Sequence, residues 1–466
     1  MANMLYFFLG APLLLLVVGG WIVHETAKIG VGYSAKQLCS GVFVSELPGE
    51  FTLKYDIVPR LQSIGPLSGL LTTEIASDSV SATLFTASAT ATYTPPYGCT
   101  LHGVASPTAS RNDQGLAAPV EANENSASME SNEELPTQRL TSSAIEPFLA
   151  SLFSEPPEGG RNTLAVVVMH KGDIIAERYA LPVLPSSRLQ GWSMNKSLMA
   201  SFVGLQVERG LLDLDLPVRD QLSHLGVDSG VITDLSADLT LKHLLSMASG
   251  LDFDERYYPG DDVTEMLYGN GPMWQVPLKQ GHRVMPGAEF VYSSGDTNVV
   301  SYLWQQSLAG EDYAAWLSRE VYGPLELDRP ALEPDSSGIQ VGSSFAYLTA
   351  RDWARLGQWW LDAWHGRDEL LSQAWQRGAV TPGVARGGEY YGLGFWLNTK
   401  QRKFPGVPEN TFNAGGNSGQ FVVVVPEAEL VVVRLGLTLD ESKVHLAPFL
   451  RQVLAQVKSE ARDSSL

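Results

Sequence analysis

The stretch Gly191-Trp192-Ser193-Met194-Asn195-Lys196-Ser197 runs directly into Leu198, Phe202 and Leu205, an apolar series at helical spacing. Residues three and four apart share a helix face, so a helix is predicted to start here with Ser193 and Lys196 one turn apart on one side. A serine hydroxyl is a weak nucleophile near neutral pH. A lysine one turn away accepts its proton if burial or a second cation lowers the amine's pKa, and the positive end of the helix dipole favours an alkoxide-like transition state. The same pattern also describes an N-capping serine and a surface lysine, so the rest of the chain must decide between them.

Two further motifs follow in order. Pro286-Gly-Ala-Glu-Phe-Val-Tyr-Ser-Ser294 brings in Tyr292, and Asn413-Ala-Gly-Gly-Asn-Ser-Gly-Gln420 runs into the strand-like Phe421–Val425. With these three motifs the chain resembles the serine β-lactamase and penicillin-binding-protein superfamily. The branch it resembles is class C-like, with carboxylesterases, D-amino-acid peptidases and 6-aminohexanoate-dimer hydrolases. Leu241–Leu251, Thr349–Gly357, Tyr391–Trp396 and the strand ending Val431–Leu435 add to the resemblance, which spans about Leu140 to Val457.

The resemblance implies an α/β (α+β) fold, a β-lactamase-like antiparallel sheet flanked by helices with a mostly helical subdomain. It also implies acyl transfer with Ser193 as nucleophile, Lys196 as base and Tyr292 as second proton handler. A phenol beside an ammonium is expected to ionise below its usual pKa of about 10. Tyr292 matches the tyrosine of the Tyr-x-Asn motif, but Ser294 stands where the asparagine belongs and offers one hydroxyl donor instead. The third motif reads Asn413-Ala414-Gly415 in place of Lys-Thr-Gly. Its glycines, Gly415 and Gly416, leave room for substrate against the edge backbone. The N–H of Asn417, or of Gly416 if the alignment slips by one, is the expected second oxyanion donor beside that of Ser193.

Without a cation at Asn413 the motif offers no charge-assisted bond to the carboxylate of a penicillin or a stem peptide. A small ester or amide is therefore the expected substrate. A non-catalytic or acylation-only sensor and a cell-wall D,D-peptidase or β-lactamase remain the alternatives. Asp252, Asp254, Glu255, Asp261 and Asp262 read as a solvated acidic loop. The absence of a Gly-x-Ser-x-Gly elbow argues against an α/β-hydrolase.

The 466 residues are 44% hydrophobic and 18% charged, enough for a large core, and the net charge of −19 argues against a nucleic-acid partner. Met4 to Val23 carries no charge and is long enough to cross a bilayer, so residues 1–27 are expected to form a membrane anchor or signal. The only cysteines, Cys39 and Cys99, are expected to pair in an oxidising compartment, which places the body outside a bacterial-type inner membrane, in the periplasm. No sequence pattern calls for a metal or an organic cofactor.

Residues 28–105 are expected to form a small β-rich, disulfide-tied domain in which Val80–Thr92 reads as a strand. Residues 106–139, rich in Asn, Glu, Ser, Ala and Pro, read as a linker, and residues 140–460 as the hydrolase. Thr163–Met169 and Ile174–Tyr179 flank a turn at His170-Lys-Gly-Asp173. Phe421–Val425 and Leu430–Leu435 flank Pro426-Glu-Ala-Glu429, so the sheet is predicted to come from both ends of this region with helices between.

Overall fold

The structure is a computed structural model that describes residues 23–61, 69–105, 137–139, 144–269 and 271–463. Most of the apolar run Met4–Val23 and residues 106–136 of the expected linker lie outside the described residues. Among the described residues no helix is long and apolar enough to cross a membrane.

The N-terminal segment is helical in its first half, where a β-rich unit was expected. Residues 23–39 form a helix, and the short apolar run Gly41–Val44, within the region expected to be β-rich, continues it as a wide turn, Ser40–Val44. Short apolar runs do not distinguish strand from buried helix, which is how this stretch misleads. Four antiparallel strands follow, β1 (Thr72–Ile75), β2 (Ser79–Leu84), β3 (Ala87–Thr94) and β4 (Gly98–Ala105). Val80–Thr92 is thus a hairpin rather than one strand. Leu84 pairs with Ala87 and Phe85 turns the chain at φ 55°, without the Asn-Gly or Gly that usually marks such a turn. Cys39 and Cys99 are disulfide-bonded, their Cα atoms 6.1 Å apart, joining the helix to β4.

The main sheet is built from both ends of the hydrolase region, as its sequence predicts. Its strands are β5 (Thr137–Arg139), β6 (Thr163–His170), β7 (Asp173–Ala180), β11 (Trp396–Leu397), β12 (Phe412–Gly416), β13 (Gln420–Val425) and β14 (Leu430–Gly436). They lie in the order β11-β12-β13-β14-β6-β7-β5, with every pair antiparallel. Residues β8 (Leu189–Gln190), β9 (Ala331–Leu332) and β10 (Ala346–Leu348) form a small second sheet. At the β6–β7 turn Lys171 and Gly172 take φ 53° and 87°, the pair of positive values a two-residue hairpin requires. Thr137–Arg139, counted with the linker in the sequence, is the edge strand beside β7.

The valine-rich strands β6, β13 and β14 are buried on both faces, and strand alternation divides their side chains between two cores. Val167, Val422, Val424, Val431 and Val433 share one core with the helices Asn195–Glu208 and Ala350–His365. Val166, Val168, Val423 and Val432 face the helices Glu146–Phe153 and Leu446–Asp463 through Leu149, Phe153, Phe449 and Val453. A third core joins the N-terminal segment to the body, with Val31, Leu38, Val80 and Ala91 packing among Trp192, Met266, Phe345 and Tyr347. At its centre a buried Lys36–Glu333 ion pair is completed by Ser40 Oγ at 2.8 Å and the Cys99 N–H at 2.7 Å, both donating to Glu333 Oε1.

Candidate active site

Ser193 lies in a short 3-10 turn, Trp192–Met194, that leads into the helix Asn195–Glu208. Every residue from Asn195 to Gln206 is buried, so the helix is held on all sides and not only by its apolar stripe. Its polar side chains are bonded in place, with Ser197 donating to the Gly394 carbonyl at 2.6 Å and Asn195 to that of Val341 at 3.0 Å. Trp192 takes φ 50°, a left-handed value that a bulky residue adopts only where its surroundings hold it.

The spacing of the first motif produces the expected contact. Lys196 Nζ lies 3.1 Å from Ser193 Oγ, 3.0 Å from Ser294 Oγ and 3.1 Å from the Ser343 carbonyl oxygen. The lysine is 1% exposed. Burial lowers its pKa to about 8, against the opposing pull of Glu255 and Asp296. A neutral amine has two N–H donors and one lone pair. Ser343 O and Ser294 Oγ take the donors, which leaves the lone pair for the Ser193 proton.

Ser294 does not act as the substrate-facing donor expected from its place in the motif. It is fully buried and does not line the pocket, its Oγ donating to Glu255 Oε1 at 2.6 Å and its N–H to Glu255 Oε2 at 2.7 Å. A hydroxyl has the reach to join lysine to carboxylate here, and that short bridge draws it away from the substrate. Glu255 is correspondingly no member of a solvated loop. Burial raises its pKa, with Lys196 pulling the other way, and its side chain lines the pocket. Its neighbours Asp254 and Asp252 fit the solvated reading better, paired with Arg256 and Arg283 near the surface.

Tyr292 reaches the same centre from the other side, with Lys196 Nζ 4.9 Å from its ring centroid. Burial pushes its phenol above the ordinary value, and a hydrogen bond with Ser193 restores only part of the difference. The resting phenol is therefore a neutral donor, opposite to the lowered pKa expected beside an ammonium. Its ring stacks on Trp396 at 5.2 Å, and Tyr391 closes the cluster at 4.9 Å from Trp396. Asp296 sits just behind, fully buried, accepting from Ser249 and Ser293 at 2.9 Å each, and burial raises its pKa to about 7.

The third motif forms the opposite wall. Asn413, Gly415, Gly416 and Asn417 line a pocket of about 320 Å³ together with Ser193, Glu255, Tyr257, Tyr292, Trp396 and Phe421. A Cβ on Gly416 would stand 2.2 Å from the Gly191 carbonyl oxygen and 3.2 Å from the Ser193 nitrogen, so glycine is required where the strand passes the nucleophile. Asn413 donates to the Trp396 carbonyl at 3.3 Å, while its buried Oδ1 has no partner among the described residues. Two residues that the sequence did not single out, Lys403 and Glu441, also line the pocket and pair at 3.4 Å. Ser193, Lys196, Tyr292 and the third motif thus converge, with Lys196 and Ser294 both buried beside the residues that line the pocket.

Comparison with known proteins bears on the family and the fold. The Beta-lactamase family model matches residues 143–455. A curated 6-aminohexanoate-dimer hydrolase from Paenarthrobacter ureafaciens is 26% identical over 304 residues, covering 61% of this chain and 74% of that protein. Among solved structures, EstCE1, a hydrolase with promiscuous acyltransferase activity, superposes with a TM-score of 0.54 at 17% identity over 67% of this chain and 97% of its own. A penicillin-binding-protein homologue from Caulobacter crescentus gives 0.53 at 13% identity over 67% and 98%. The chain belongs to the β-lactamase family, in the superfamily of serine β-lactamases and penicillin-binding proteins, and is a hydrolase.

Proposed function

We propose that the protein hydrolyses a small ester or amide through an acyl-enzyme on Ser193. Neutral Lys196 accepts the Ser193 proton as Oγ bonds to the substrate carbonyl carbon, and the resulting oxyanion is held by the N–H groups of Ser193 and Asn417. Tyr292, protonated at rest, gives its proton to the leaving group as the acyl bond breaks and regains one from Lys196. Water then attacks the acyl-enzyme, and the same groups carry the protons in reverse. The observation that carries this reading is Lys196, fully enclosed, 3.1 Å from Ser193 Oγ and with its pKa lowered to about 8.

The uncharged Asn413 and the aromatic walls, with Lys403 in the lining already paired to Glu441, favour a neutral acyl group over a β-lactam carboxylate, and the name of the Paenarthrobacter relative supports an amide. The uncharged run Met4–Val23 and the Cys39–Cys99 disulfide support attachment to a membrane with the hydrolase in an oxidising compartment, a placement that a pair of reporter fusions after Leu466 tests.

The decisive experiment is turnover of a short-chain p-nitrophenyl ester, with intact mass recorded during reaction and Ser193→Ala run beside it. Turnover with a transient acyl mass, both lost in the variant, is the expected result. A stable adduct without turnover would instead identify a sensor, and folded protein that neither turns over nor acylates would remove the proposal.

A further inference from the structure

Arg60 lies in the short helix Val58–Leu61, outside the residues matched by the family model, yet its side chain ends behind the catalytic serine. Nη2 donates to Asn417 Oδ1 at 2.9 Å and also to Ser418 Oγ. Its guanidinium lies 5.0 Å from the ring centroid of Trp192, the residue before Ser193. Nε donates to Asp56 Oδ1 at 3.2 Å, and Asp56 accepts the Tyr33 hydroxyl at 2.7 Å, so the arginine is itself anchored in the N-terminal segment.

The two points that Arg60 touches are the two backbone turns that present the oxyanion donors. Each turn contains a non-glycine residue in the left-handed region, Trp192 at φ 50° before Ser193 and Ser418 at φ 63° after Asn417. Such conformations persist only when the surrounding structure over-determines them. A planar guanidinium suits this place because one face covers an aromatic ring while its edge donates to two oxygens, which a lysine ammonium cannot do.

We propose that Arg60 is a positioning residue for the hydrolytic reaction, a clamp from the N-terminal segment that fixes the Ser193 and Asn417 N–H groups at the spacing a tetrahedral oxyanion requires. This inference rests on the acyl-transfer reading of the site. It gives the N-terminal segment a catalytic purpose: the oxyanion site is complete only when that segment is docked. Arg60 touches neither substrate nor reacting atoms, so its effect falls on the transition state rather than on substrate binding.

The test compares the full-length wild type with Arg60→Ala, Arg60→Lys, Asn417→Ala and the Arg60→Ala/Asn417→Ala pair. The readouts are kcat and KM for a p-nitrophenyl ester and the affinity for an alkyl boronic acid, whose adduct mimics the tetrahedral oxyanion. Arg60→Ala is expected to lower kcat by about tenfold to a hundredfold, short of or equal to the loss of a whole oxyanion donor, with KM within about threefold. Boronate affinity should fall in parallel. Arg60→Lys should recover only part of the rate. Asn417→Ala removes one of the two acceptors but keeps the backbone N–H, so it should reproduce part of the defect, and the double variant should lose less than the product of the two single losses. If Arg60→Ala does not fold, Arg60→Met, which keeps a long side chain there without the guanidinium, takes its place. A kcat within about threefold of wild type, or a double variant whose losses simply multiply, would overturn the inference while Ser193→Ala still upheld the hydrolase. Turnover surviving in Ser193→Ala, or none in wild type, would remove both.

Discussion

Replacing Lys196 with methionine should abolish activity and yet make the protein harder to unfold at neutral pH. In the unfolded chain the amine titrates at its ordinary 10.5, whereas in the folded protein burial lowers it to about 8. The folded state thus binds its proton more weakly than the unfolded state does. Well below pH 8 this difference costs about 3 kcal/mol of stability, a cost that fades as pH rises through 8 toward 10.5. Between pH 6.5 and 9.5 wild-type stability should therefore gain about 2 kcal/mol from this residue alone. Methionine nearly conserves the volume and carries no such term, but it leaves Ser343 O and Ser294 Oγ without a donor, at roughly 1 kcal/mol each. The variant should accordingly be more stable than wild type by about 1–2 kcal/mol at pH 6.5 and lose that advantage by pH 9.5. Urea denaturation of both proteins at the two pH values measures the gap. A gap that does not change with pH would show that Lys196 is not held with a lowered pKa, and the argument for it as the base would fall with it.

The same titration sets the rate. With a midpoint near pH 8, the neutral fraction of Lys196 rises from about 9% at pH 7 to about 90% at pH 9, so kcat/KM should climb about tenfold over that range, and a flat profile would contradict the assignment. Glu255 favours the charged lysine, so Glu255→Gln, which can still accept from Ser294, should move this limb to lower pH; a shift to higher pH in the same profile would mean that the carboxylate acts otherwise. Glu333→Ala strands Lys36 in the core between the N-terminal segment and the body, and urea denaturation should show a loss of about 3–5 kcal/mol, most of it recovered when Lys36→Met is added. A single-variant loss below about 1 kcal/mol would show that the buried pair does not hold the segment in place.

What the sequence made legible was local. Ser193 and Lys196 are one helical turn apart, so their contact follows from spacing alone, and His170-Lys-Gly-Asp173 announces its hairpin through turn chemistry. The glycines of the third motif are readable as a place of close approach, but the sequence reserves that space for substrate, whereas the clearance at Gly416 is for the Gly191 carbonyl and the Ser193 nitrogen. What stayed hidden depends on contacts distant in the chain. Glu255 looks like any acid in an acidic loop until the fold sets it against Ser294, 39 residues later, and Arg60 until it meets Asn417, 357 residues later. Ser294 shows the limit of transferring a motif by position. The hydroxyl occupies the asparagine's place in the sequence, but being shorter it bonds backward to lysine and carboxylate instead of forward to substrate. The Phe85 turn had no glycine or asparagine to signal it, so one apparent strand concealed two.

The two cations around Ser193 are held in opposite protonation regimes, and the difference matches what each is asked to do. Lys196 is enclosed with carboxylates reached only through Ser294 or at longer range, so burial dominates and the amine gives up its proton near working pH. Arg60 is also desolvated, but the directly bonded Asp56 carboxylate helps hold its pKa above the ordinary value. A base must be able to lose its charge; a clamp behind a developing oxyanion must keep it. A guanidinium meets the second demand at every pH at which the protein folds, and its positive charge, relayed through the Asn417 amide, has the sign that favours negative charge on the substrate oxygen. The third motif of this chain has lost the cation that related enzymes place on the strand itself. The arginine behind that strand restores positive charge to the neighbourhood of the oxyanion without placing it in the substrate pocket, so an uncharged acyl group meets an uncharged wall at Asn413 while the transition state still feels a cation.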